Sequence, residues 1–98
     1  MLGMLRICKK PAYVLFDSGA SHSFIAKRFC DVIDALCEQE TETLRIGIPS
    51  GRTPETNRLA KRVEVQIEEN TLGANLFILD MRDFDVILGM DGLSQITQ

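Results

Sequence analysis

A chain of 98 residues in which 45% are hydrophobic and 26% charged has the composition of one small folded unit and not of a disordered segment. Its net charge of −3, with 11 basic and 14 acidic residues interspersed, offers no phosphate-binding face and speaks against a nucleic-acid partner. No apolar run approaches the ~18 residues of a membrane helix, and residues 1–5 are too short for the apolar part of a secretion signal, so no membrane partner and an intracellular, cytoplasmic protein are expected.

Residues 4–8 read as a short strand, with Leu5 and Ile7 on one face and Met4, Arg6 and Cys8 on the other. Lys9-Lys10-Pro11 reads as a turn, because proline has no N–H to give to a ladder. The chain returns through Ala12-Tyr13-Val14-Leu15-Phe16 as the second strand of a hairpin and runs directly into Asp17-Ser18-Gly19-Ala20. Asp-Ser-Gly alone is ordinary turn chemistry. Its place at the end of a buried strand is less ordinary, since an unpartnered carboxylate there is costly.

After Gly19 the period changes. Ile25, Phe29, Val32, Ile33 and Leu36 recur at helical spacing, which predicts a core-facing helix over residues 23–37 capped by Ser21 or Ser23. Residues 38–42 are polar and acidic and are expected to be a connection. Leu44, Ile46 and Ile48 alternate with Thr43, Arg45 and Gly47, and Val63, Val65 and Ile67 alternate with Glu64, Gln66 and Glu68. Between these half-buried strands lies Pro49-Ser50-Gly51-Arg52-Thr53-Pro54, a strong turn signal, so the two form a long hairpin with a polar tip. Glu69-Asn70 is expected to turn the chain into an apolar strand at residues 74–79. A charged connection at 80–83 and a buried strand at 85–88 follow, ending in Gly89, and Asp91 is placed to cap a short helix at 92–96. Strands dominate and no parallel βα alternation is visible. The prediction is a small, mostly β, closed antiparallel domain over residues 1–98, with one sizeable helix and a short C-terminal one.

Cys8, Cys30 and Cys37 are odd in number and lack C-x-x-C spacing, so they read as small buried residues and not as a disulfide framework or metal site. Cys30 and Cys37, seven apart, share one face of the predicted helix. His22, the only histidine, excludes a multi-histidine metal centre and is expected to face solvent or cap the helix. No metal or cofactor is implied.

An apolar strand ending in Asp17-Ser18-Gly19-Ala20, followed about 70 residues later by the apolar-apolar-Gly strand Ile87-Leu88-Gly89, resembles the retropepsin family of aspartic proteases. The wording Leu15-Phe16-Asp17-Ser18-Gly19-Ala20-Ser21-His22-Ser23-Phe24-Ile25 is similar to the proteases of gypsy-type LTR retrotransposon polyproteins. The resemblance spans residues 4–93 and implies an aspartic endopeptidase acting on extended polypeptide within a polyprotein. It assigns catalysis to Asp17, a hydrogen bond across a two-fold axis to Ser18, room for substrate to Gly19, and a place in the same loop to Ala20. Ile87, Leu88 and Gly89 would support that loop, and Pro49, Ser50, Gly51, Arg52, Thr53 and Pro54 would form a flap that binds substrate. Amide hydrolysis by carboxylates needs two of them and this chain has one Asp-Ser-Gly, so the resemblance implies a homodimer with one Asp17 from each copy.

Two features depart from the family pattern. Gly92 stands where retrotransposon members usually have tryptophan, and the sequence ends at Gln98, where relatives continue into an interface strand. A truncated or degenerate copy that self-associates without cleaving is therefore one alternative. The protease-like domain of a ubiquitin receptor of the DNA-damage-inducible family is another.

Overall fold

Alternating apolar side chains build the expected N-terminal hairpin. In the computed structural model, which describes residues 2–45 and 55–91, β1 (Leu2–Ile7) pairs antiparallel with β2 (Lys10–Phe16), from Leu2 opposite Leu15 to Ile7 opposite Lys10. The turn is Cys8-Lys9, one residue earlier than expected, with φ of 50° and 69°. Left-handed backbone at two successive residues matches the right-handed twist of the strands they join. Pro11 lies inside β2 opposite Arg6, before the ladder between β2 and β7 (Val86–Leu88) begins at Val14. Its missing N–H interrupts nothing on that side.

The predicted helix over 23–37 is corrected at both ends. Phe24–Ala26 forms strand β3, buried throughout, and the helix α1 spans only Lys27–Ile33. Its N-cap is Ala26, with no side-chain cap bond, so neither Ser21 nor Ser23 caps it. Asp34 closes it in the left-handed conformation, and Ala35 N–H then folds back onto Cys30 O at 3.2 Å. Of the helical stripe, Ile25 belongs to β3, Phe29 is buried, and Val32 and Leu36 are 56% and 70% exposed.

The acidic segment expected to be a connection is instead strand β4 (Cys37–Arg45), paired antiparallel with β5 (Glu55–Ile67). Apolar alternation could not reveal it, because β4 is an edge strand with mostly exposed side chains. Its glutamates instead keep the open edge unattractive to other strands. The arms of the long hairpin are thus present, with Leu44 opposite Thr56 and Arg45 opposite Glu55. Ile46, Ile48, the expected tip at 49–54, and Gly92 with the expected helix at 92–96 lie outside the described residues.

β5 turns at Glu68-Glu69, again one residue early, into β6 (Asn70–Leu79), which begins four residues sooner than its apolar stretch. Strand order is β1-β2-β7-β3-β6-β5-β4, and β5 also pairs with β1 through Arg6–Gln66 and Ile7–Val65, which closes the sheet. Most pairings are antiparallel, but β2–β7 and β3–β6 are parallel. Val14, Ile25, Val65, Leu76, Ile87 and Leu88 fill the barrel at no more than 2% exposure. Truncating such a leucine to alanine costs about 2–5 kcal/mol.

A polar clamp fixes where β7 enters. Asp85 accepts the Tyr13 N–H at 2.7 Å and the Arg28 guanidinium at 2.5 Å, while its own N–H donates to Tyr13 O at 2.9 Å. The two ends of the chain, residues 13–23 and 85–91, are thereby laid against each other.

Candidate active site

Parallel pairing of Phe16 with Leu88 carries β2 to the barrel rim, where Asp17 leaves the strand. Its N–H still donates to Leu88 O at 2.9 Å. Its carbonyl accepts the Ala20 N–H at 3.2 Å, making Asp17-Ser18-Gly19-Ala20 a hydrogen-bonded turn. Asp17 Oδ1 accepts the Gly19 N–H at 3.0 Å, which sets the orientation of the half-buried carboxylate. Ser18 and Gly19 are exposed at the tip. A Cβ on Gly19 would lie 3.3 Å from Asp17 Oδ1, so glycine keeps that oxygen uncrowded.

The support beneath the loop is backbone against backbone. Met90 N–H donates to Ala20 O at 2.7 Å. A Cβ built on Gly89 would meet His22 O at 2.1 Å and Ala20 O at 2.7 Å, so only glycine lets β7 approach this closely. Ile87 and Leu88, both buried, fill the barrel directly below.

Ser23 completes the lock, a role that the sequence does not single out for it. It is 1% exposed; its Oγ accepts the Gly89 N–H at 3.0 Å and donates to Asp91 Oδ1 at 2.5 Å. Its carbonyl accepts the Phe77 N–H at 2.9 Å. The available signal is a hydroxyl beside the fully apolar Phe24-Ile25-Ala26, where a buried serine requires partners. Ser23→Ala should lower unfolding free energy by about 1–3 kcal/mol, because it orphans a buried N–H. Urea unfolding of Ser23→Ala beside Ser23→Thr, which keeps the hydroxyl, measures this.

His22 is half-buried and packs edge-on against Phe77 with ring centroids 5.5 Å apart, a correction to the expectation that it faces solvent or caps the helix. It helps line a cavity of about 250 Å³ beside the loop, with Gly19, Ala20, Ser21, Phe24, Leu44 and Arg45. Arg45 is paired with Glu55 at 2.7 Å on the hairpin arms. The structure therefore brings Asp17, Ser18, Gly19 and Ala20 together with Ile87, Leu88 and Gly89, while Pro49 to Pro54 are outside its described residues.

Chemically, the loop presents one carboxyl, oriented by the Gly19 N–H, at a rim beside the cavity that Gly19 and Ala20 help line. A single carboxyl can accept or donate a proton, not both at once.

Comparison with known proteins agrees with this geometry. The family described as "Retroviral aspartyl protease" matches residues 1–98. Among solved structures, EIAV protease complexed with the inhibitor HBY-793 superposes with a TM-score of 0.78 at 22% identity, covering 99% of this chain and 88% of that one. At that identity the likeness establishes the retropepsin fold. A comparison with curated proteins finds no match.

Proposed function

We propose, for a chain that belongs to the retroviral aspartyl protease family, that it is an aspartic endopeptidase of retroelement type whose site is completed by a second copy. The observation that carries the reading is Asp17, delivered to the rim by β2 and fixed there by Leu88 O and the Gly19 N–H.

Two Asp17 side chains meet across a two-fold axis with a water between them. Two carboxyls about 3 Å apart do not both ionise readily and share a proton, a behaviour for which aspartic proteases are the standard illustration. The ionised one takes a proton from the water as its oxygen attacks the scissile carbonyl. The protonated one gives its proton to the carbonyl oxygen. The tetrahedral diol then collapses: the carboxyl that took the water's proton gives it to the leaving nitrogen, the C–N bond breaks, and the other carboxylate takes a proton from a diol hydroxyl, which restores the pair. Exposed Ser18 and Gly19 suit the loop to face its counterpart. The cavity beside the loop takes a side chain of the extended substrate. The substrate class is the polyprotein of a gypsy-type element, processed inside the cell.

The shared site makes activity depend on association. Specific activity toward an extended peptide should fall on dilution below the dimer dissociation constant measured by sedimentation, with the total rate approaching second order in protein. Constant specific activity where sedimentation shows only monomer would refute the two-copy site.

A further inference from the structure

Apart from the catalytic loop, the chain places two sulfurs side by side. Cys30 lies on α1 and Cys37 opens β4, and the left-handed Asp34 between them reverses the chain. The two Sγ atoms are 3.4 Å apart, and Cys37 Sγ also donates to Ala35 O at 3.5 Å. Cys30 is 4% exposed, whereas Cys37 is only half-buried. A disulfide needs an S–S distance of about 2.05 Å, so the sulfurs must approach by about 1.4 Å. Cys8, in the β1–β2 turn, takes no part in the pair.

We propose that Cys30 and Cys37 form a redox-modifiable dithiol that reacts with small-molecule disulfides such as glutathione disulfide and closes into an intrachain bond. The inference is independent of the protease reading.

The order of events follows from the surroundings of each sulfur. Burial first, and then the hydrogen bond to Cys37, push the Cys30 thiol up to about 12, so Cys30 rests protonated and is the poorer first nucleophile. The Cys37 thiolate attacks one sulfur of the small disulfide, forms a mixed disulfide and releases one small thiolate. Cys30 then loses its proton to solvent and attacks Cys37 Sγ, expelling the second thiolate. In sum, two protein thiols and one small disulfide become one protein disulfide and two small thiols, with two electrons passing to the small molecule. The bond ties the middle of α1 to the start of β4, the strand that ends at Leu44 and Arg45 beside the active-site cavity.

The test is equilibration of the native chain with glutathione and glutathione disulfide over a series of ratios, followed by acid quench, mass measurement and peptide mapping. The expected product loses two hydrogens, maps to Cys30–Cys37, and melts roughly 5–15 °C higher than the reduced chain. Cys8→Ser should form the same bond, and Cys30→Ser should stop with one glutathionyl group on Cys37. The proposal is overturned if native chain keeps both thiols at ratios that modify Cys8, if the product joins different cysteines, or if it joins two chains. Mapping of the native chain is decisive by itself, so the test holds even where a variant fails to fold.

Discussion

Asp17→Asn should abolish peptide-bond cleavage, by roughly 10³-fold or more, while leaving the fold in place. Asparagine keeps the size of the side chain and an oxygen for the Gly19 N–H, the 3.0 Å bond that orients the group. It removes the ability to take up and release a proton. Unfolding free energy should therefore change by less than about 1 kcal/mol, as expected where no partner is lost. Self-association should be equal or stronger, since the proposed two-copy site brings two acidic groups together. The measurement is cleavage of an extended peptide by both proteins, with unfolding and sedimentation alongside. Equal cleavage by the two would remove Asp17 from the chemistry and favour a nucleophile such as Ser21 or a cysteine. Two folded but inactive proteins would favour the non-cleaving scaffold.

The second large effect is expected away from any ionisable group. Gly89→Ala places a methyl group 2.1 Å from His22 O and 2.8 Å from His22 C, where no real Cβ is found. The obstacle is backbone, so no side-chain rotation relieves it. Either β7 withdraws, breaking the Gly89–Ser23 and Met90–Ala20 bonds, or the loop after Asp17 is pushed outward. A loss of about 3 kcal/mol or more is expected, at the upper end of overpacking effects. Whatever remains folded should cleave at least about 100-fold more slowly, because a 1 Å misplacement of a reacting group costs about that much. Gly73→Ala is the control: a Cβ there meets nothing within 4 Å, and its effect should stay within about 0.5 kcal/mol. Chemical denaturation and kinetics of both variants separate the two glycines.

The parts legible in the sequence share one property: an apolar pattern that is broken by a residue of special chemistry. Val14-Leu15-Phe16 running into Asp17, and Ile87-Leu88 running into Gly89, read as strand ends with a purpose, and the structure sets them side by side. Where burial is two-sided or absent, the pattern fails. Phe24-Ile25-Ala26 is buried on both faces and so shows no period of two, and its apolar side chains merge into the stripe of the neighbouring helix. β4 fails for the opposite reason, since backbone pairing and not apolar burial holds it. Ser23 resembles a cap because serine near a helix start usually is one; its partners Gly89 and Asp91 lie 66 and 68 residues away. Cys30 and Cys37 share a face only on a continuous helix, whereas the chain reverses between them.

The parallel ladder of β2 with β7 also governs how the protein comes into being. Its contacts join residues as far apart as Tyr13 and Asp85, 72 positions along the chain, and the barrel closes through β1 and β5. Such distant pairings must meet the entropy of loop closure before any contact repays it, which places folding in the slow, millisecond-to-second range of β topologies. No partial structure lacking β7 can seat the loop after Asp17, because the loop rests on Leu88, Gly89 and Met90. Nascent or half-folded chains thus carry the acidic residue without the geometry that holds it, and the site comes into existence only as the barrel completes.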